Sequence, residues 1–256
     1  MKLLPSYLVV ENSVNWYPLE IKGATGKAWI KVFGRDPGTQ STACLVKYEK
    51  GFKAPATTSV VGSDNVICSG RLTEGNVEFG KYAYNYRPPG TPIGAITAHE
   101  ETVKFIITNG IGEKCSETPV YIADCEKAAT EASYMGDAWA IKRLRTDEDA
   151  DCMVLFQICF KTGIVDEGWT WVHPHLEEAY YLEHGKEPTL DWLQEVDGYI
   201  RYDAPAYLYR PPGSRHGSAH YAPCKLFVKY YSTDFPKEIF DRRQMTKSTP
   251  PNHLVE

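Results

Sequence analysis

One heptad is written twice in this chain. Tyr84-Asn85-Tyr86-Arg87-Pro88-Pro89-Gly90 returns as Tyr207-Leu208-Tyr209-Arg210-Pro211-Pro212-Gly213, with only the second position changed. The interval is close to half of the 256 residues. It points to duplication of a whole folding unit, because stacked solenoid repeats recur every ~20–50 residues. The copies diverge where chemistry can reside. Three residues after the second Gly stands His216, where the first copy has Ile93. Upstream of the second copy runs Trp171-Val172-His173-Pro174-His175-Leu176-Glu177-Glu178, and nothing comparable precedes the first. Clustered imidazoles and carboxylates suit a metal ion, so one half is equipped for a metal and the other is not.

The repeated unit reads as β structure. Trp29–Phe33, Ala43–Tyr48, Val103–Ile107, Val154–Phe160 and Leu226–Tyr231 are rich in β-branched and aromatic residues and end near Gly, Pro or polar turns. Turns such as Gly34-Arg35-Asp36-Pro37-Gly38 and Pro211-Pro212-Gly213 separate the runs at intervals typical of sandwiches and barrels. The likeness extends past the heptad. Lys27-Ala28-Trp29-Ile30-Lys31 resembles Asp137-Ala138-Trp139-Ala140-Ile141-Lys142, and Val103-Lys104-Phe105 matches Val228-Lys229-Tyr230. The one helical stretch, Ala123 to Met135, holds Ala128, Ala129 and Ala132 and falls between the copies as a linker. The expected organisation is a first unit at 10–122, a linking helix at 123–136, a second unit at 137–236 and a surface extension at 237–256.

Charge and cysteine usage exclude several classes. A net charge of −5 with no basic stripe offers nothing to nucleic acid or to an anionic membrane. No apolar run approaches the ~20 residues of a spanning helix, and the opening Met1–Glu11 is too short and broken for a secretory core. The seven cysteines lack CxxC spacing, as expected of buried reduced thiols in a cytoplasmic protein.

Residues 171 to 216 resemble the cupin superfamily, a double-stranded β-helix whose metal site is written in two motifs. Pro211-Pro212-Gly213-Ser214-Arg215-His216 fits the second motif, and Glu178 stands at the family's interval before Gly185 in the first. The wording looks most like the bicupins allied to the anti-sigma-factor cupin domain and to acetyl-ketone dioxygenases. The fold implied is all-β, two tandem jelly-roll units with a short linking helix. The resemblance implies one divalent metal per chain, Fe(II) favoured over Zn or Mn, held by His173, Glu178 and His216. His175 is the fourth ligand and Glu177 the rival carboxylate. One departure is plain: measured back from Glu178, His173 takes the place of the second family histidine and Trp171 that of the first. Alternation puts His173, His175 and Glu177 on one strand face, so Glu178 needs a bulge or turn to join them.

Other residues are weaker candidates. Tyr180 and Arg215 are expected near the reacting substrate, with Trp169, Trp171 and Tyr209 forming a partly apolar pocket. Arg210 has the counterpart Arg87 in the half without the metal motif, which argues for a structural role. His184 is expected in an exposed turn, His220 on a strand surface and His99 without function. The first half, lacking the histidines, is expected to complete the sandwich, cover a sheet edge and form an oligomer interface. The leading expectation is an Fe(II) dioxygenase cleaving a carbon–carbon bond in a small diketone or hydroxyaryl ketone. A Zn- or Mn-dependent lyase, isomerase or decarboxylase is the alternative, and a non-catalytic sensor the third. The expected partners are a small-molecule substrate and, through strand edges that need covering, a second copy in a homodimer.

Overall fold

The computed structural model describes residues 6–35, 41–110, 114–131, 138–160, 169–172, 174–185, 189–193, 198–220, 223–233 and 246–247. All five runs singled out from composition are strands: Ala28–Arg35, Thr42–Tyr48, Thr102–Thr108, Cys152–Cys159 and Cys224–Tyr230. Among the described residues the paired strands are antiparallel, and the chain divides into two compact units, each a jelly-roll sandwich.

The N-terminal unit comprises residues 14–128 with 147–150. Its larger sheet runs Val120–Ile122, Tyr84–Arg87, Ser63–Ser69, Thr102–Thr108, Thr42–Tyr48, Ala28–Arg35, Tyr17–Pro18. The smaller one is Lys53–Ala54, Ile96–Ala98, Leu72–Glu74, Val77–Phe79. Phe52, Ile67, Leu72, Phe79 and Ile96 fill the core between them.

The C-terminal unit comprises residues 1–13, 129–146 and 151–256. Its larger sheet runs Tyr7–Val10, Ala206–Arg210, Glu177–Glu183, Cys224–Tyr230, Cys152–Cys159, Trp139–Asp147. The smaller one is Gly198–Tyr202, Thr189–Leu193, Arg215–His220, Trp169–Val172, Thr246–Lys247. Ile141, Leu155, Tyr181, Leu208 and Val228 form its core. The expected boundary at residue 10 is therefore crossed: Tyr7–Val10 pairs with Ala206–Arg210, while Val120–Ile122 takes the same edge beside Tyr84–Arg87. The chain's first strand thus closes the C-terminal unit's larger sheet, and Val120–Ile122 closes the same edge within the N-terminal unit.

The duplicated heptad builds the same device twice. Tyr84–Arg87 and Ala206–Arg210 are fully buried strands that end at Pro-Pro-Gly. Gly90 and Gly213 take φ of +81° and +76°, a left-handed turn that glycine adopts without a Cβ penalty. Pairing registers fix the correspondence further. Arg87 lies opposite Ser63 and Arg210 opposite Glu177; Ile93 lies opposite Thr57 and His216 opposite Trp171. Ser63 therefore corresponds to Glu177, Asp64 to Glu178 and Ile93 to His216.

Two expectations are corrected. No α-helix occurs among the described residues of 123–136, only a 3-10 turn, Cys125–Lys127, with Asp124 accepting from the Glu126 amide at 3.0 Å. Ala-rich stretches shorter than about 12–15 residues are marginal helices. Here Glu131 instead bridges Ile141 in sheet pairing. Residues 132–137 lie outside the described ones. The match of Lys104 to Lys229 is also out of register, since Lys104 pairs with Ile67 and its counterpart Tyr181 pairs with Leu226. Of the tail, Thr246–Lys247 alone is described, as a strand on Trp169–Thr170. No helix among the described residues is long and apolar enough to cross a membrane. None of the seven cysteines forms a disulfide, and five of them are buried.

Candidate metal centre in the C-terminal unit

The inner face of the C-terminal unit carries the polar cluster. Along Glu177–Glu183, Ala179 and Tyr181 enter the core, so the alternation of a strand puts Glu177 on the same inward side. Glu177 Oε1 accepts from Arg210 Nη1 at 2.5 Å, and Arg210 Nη2 donates to Asp191 Oδ1 at 2.6 Å. Tyr202 donates to the other Asp191 oxygen at 3.0 Å. All of these groups are buried, and Asp191 is wholly so. Burial pushes the Asp191 carboxyl above its ordinary range, against the opposing pull of Arg210. Only a strong ion pair justifies carboxylates and a guanidinium this deep, since each charge alone costs several kcal/mol.

His216 reaches this cluster from the second sheet. Its Nε2 lies 3.6 Å from Glu177 Oε2, and its Nδ1 lies 3.2 Å from the Ser214 carbonyl oxygen. A carbonyl accepts only, so Nδ1 carries the proton in the neutral ring and Nε2 presents a lone pair towards the carboxylate. Histidine ligands in metal sites are oriented in this way, by a carbonyl on the far nitrogen.

The structure brings His216 and Glu177 together and separates them from Glu178. Expected as the metal carboxylate, Glu178 leaves the opposite face of its strand and accepts from Tyr207 and Tyr231 hydroxyls. The N-terminal unit repeats that contact, Tyr84 donating to Asp64 at 2.7 Å, at corresponding positions. The Tyr–acid pair is thus part of the duplicated scaffold. Tyr180, expected at the reaction site, shares the face of Glu178 and donates to Glu11 at 2.6 Å. Arg215 is half-buried and precedes His216, so it leaves the other side of the strand. His175 is half-buried in the bend before Glu177, and His173 lies outside the described residues. Among the described residues no three His, Cys, Asp or Glu side chains converge as a metal group.

His184, expected as exposed, is half-buried. Its ring nitrogens meet Gly185 O and Thr189 Oγ1, both at 2.9 Å, and burial lowers its pKa. Sequence reasoning missed Asp191. The signal was the repeated arginine itself: a buried Arg210 demands a counter-ion, as Arg87 has in Glu74.

No protein-family profile and no curated protein matches the chain. Solved structures do. A protein provisionally assigned as a dioxygenase from Nostoc punctiforme PCC 73102 is 14% identical, with a TM-score of 0.73 over 96% of this chain and 88% of its own. Protein YlbA from E. coli is 14% identical, with a TM-score of 0.65 over 91% and 93%. A variant of Bacillus subtilis oxalate decarboxylase OxdC is 10% identical, with a TM-score of 0.62 over 92% and 80%. At such identities the likeness is one of fold, and that fold is the two-unit cupin-type jelly roll.

Proposed function

We propose that the C-terminal unit binds one divalent first-row metal ion and acts with it on a small oxygen-bearing organic substrate. The observation that carries this reading is the facing of two acceptors, His216 Nε2 and Glu177 Oε2, 3.6 Å apart in a buried site. With the ring neutral, two lone pairs so placed repel unless a metal ion lies with them, and otherwise Nε2 must carry a proton. The surroundings agree: Arg210 pairs with both Glu177 and Asp191, so two buried carboxylates share one guanidinium beside the imidazole. Imidazole with carboxylate is the donor set that Fe, Mn or Zn takes.

His216 and Glu177 would hold the ion, with His175 and, on the sequence motif, His173 as the further imidazoles. When bound, such an ion supplies Lewis acidity and, as iron, the activation of dioxygen. The chain's own residues do the rest. Arg210 holds Glu177 by Oε1, which leaves Oε2 on the side of His216. Asp191 anchors Arg210 from its other side. Tyr181 and Leu208 are fully buried in the core of the same unit.

Oxidative cleavage of a carbon–carbon bond in a diketone or hydroxyaryl ketone is the favoured reaction, and the Nostoc likeness supports it. The likeness to oxalate decarboxylase supports a redox-neutral decarboxylase or lyase as the second reading. Elemental analysis of protein purified without chelator tests the site. We expect about one ion per chain in the wild type and in Glu178→Gln, and a loss of at least about tenfold in His216→Ala and Glu177→Gln. Loss in Glu178→Gln with retention in Glu177→Gln would return the carboxylate role to Glu178. A wild type without metal would overturn the reading. Iron with substrate-dependent oxygen uptake selects the first reaction; manganese or zinc without uptake selects the second.

A further inference from the structure

The N-terminal unit, which lacks the metal motif, holds a cavity of about 720 Å³. That volume falls in the range that takes small organic ligands. Arg87 and Lys104 line it, and both are buried. Each is paired with the same carboxylate: Arg87 donates to Glu74, and Lys104 Nζ lies 3.7 Å from Glu74 Oε1. One carboxylate therefore serves two cations, and the interior carries one positive charge in excess. Among the described residues, no ion pair other than those with Glu74 is formed by either cation. The other titratable groups that face Lys104 are Cys44 and Tyr48, and burial raises both, Cys44 to about 12, so both stay neutral. An uncompensated buried cation is costly, and the cost is visible in Lys104, whose pKa burial lowers to about 8. Glu74 opposes that shift and Arg87 adds to it. The remaining wall is apolar at Ile93, Ile96 and Ile106 and carries neutral donors at Ser63, Asn65 and Thr108.

We propose that the N-terminal unit is a metal-independent binding site for a small organic monocarboxylate. The ligand's carboxylate sits at Arg87 and Lys104, and its apolar body lies against Ile93, Ile96 and Ile106. A single negative charge is what the cluster lacks; a dianion would leave a buried negative excess in its turn. The site is independent of the metal reading of the C-terminal unit and stands if that reading fails.

Titration calorimetry on the full chain, stripped with EDTA, tests it. The probes are acetate, pyruvate and benzoate, with benzamide as the neutral isostere of benzoate. At pH 7 at least one carboxylate binds once per chain, and benzamide binds at least about tenfold more weakly than benzoate where benzoate is the ligand. Lys104→Met, which replaces a buried charge by an apolar chain of similar length, weakens binding by at least about tenfold. Ile93→Trp fills the cavity without touching a charge and also abolishes binding, whereas His216→Ala leaves it unchanged. Affinity falls as pH rises through about 8, and binding at pH 8.5 takes up protons as the ligand restores the Lys104 charge. Three results overturn the proposal: no carboxylate binding below about 10 mM, binding that survives Lys104→Met and Ile93→Trp, or binding lost in His216→Ala.

Discussion

In the N-terminal interior Arg87 meets one carboxylate, Glu74, and shares it with Lys104. In the C-terminal interior Arg210 meets two, Glu177 and Asp191, and a buried imidazole stands beside them. Six strands of the larger sheet, their order and the arginine are the same; among the facing positions that differ, three carry the chemistry. Ser63 answers to Glu177, Lys104 to Leu226 and Ile93 to His216. Those exchanges turn a cluster of two cations on one carboxylate into one of two carboxylates on one guanidinium with an imidazole beside them. A duplicated sandwich thus keeps the tether that fixes its turn, Arg to acid, and varies the residues that face the cavity. The sign of the buried charge then decides whether the barrel calls for an anion or a cation.

The largest effect that can break this contrast comes from removing each arginine. Arg210→Met leaves Glu177 and Asp191 buried together without their cation, and stripping one partner from a buried pair costs about 3–5 kcal/mol. Arg87→Met leaves Glu74 still paired with Lys104, so the loss is expected to be about half as large. Denaturant melts of both variants, followed unit by unit, check this. Equal losses would mean that the two clusters do not differ in charge balance.

A smaller effect follows from Lys104. Its pKa is about 8 when folded against an ordinary 10.5, so between those values the unfolded chain binds more protons than the folded one. Stability then rises with pH across that window, and the penalty is fully present below about pH 8. Lys104→Met removes the penalty. The variant is therefore expected to be more stable than wild type by about 2–3 kcal/mol at pH 7, an advantage that shrinks towards pH 10.5. Denaturation of both proteins over a pH series measures it, and a constant difference would show that Lys104 is charged in the fold as freely as in water.

Much of this was legible in the residues. The duplicated heptad, the β-rich runs and the Pro-Pro-Gly turns gave the all-β two-unit fold, because local chemistry decides them: a turn at φ +76° needs Gly213. What was hidden depends on pairing between distant strands. Period-two alternation says that Glu177 and Glu178 face opposite ways, but which one faces inward is set by the core residues Ala179 and Tyr181 and by Arg210 across the ladder. Spacing alone chose Glu178. Tyr7-Leu8-Val9-Val10 reads as a strand, yet nothing local assigns it to Ala206–Arg210, some two hundred residues away. Asp191 sits unmarked in Thr189–Leu193 and acquires meaning only when Arg210 reaches it from another strand. The mismatch of Lys104 with Lys229 has the same cause, two similar strings offset by a side of the sheet.

The smallest effect concerns the outer faces, where the two units agree. Tyr84 donates to Asp64, and Tyr207 and Tyr231 donate to Glu178, each bond charge-assisted and largely dry. Because these pairs belong to the scaffold, their loss should cost stability alike in both units and leave the metal untouched. Tyr84→Phe and Tyr207→Phe each remove one donor and are expected to cost about 1–2 kcal/mol, close to the worth of a hydrogen bond to a charged group. Glu178→Gln keeps an acceptor oxygen for one tyrosine and turns an amide towards the other, for a similar loss. Thermal melts supply the stability values and elemental analysis the metal content. A Tyr207→Phe variant that keeps its stability and loses its metal would make the outer carboxylate part of the site, and with it the difference between the two units would extend through the sheet.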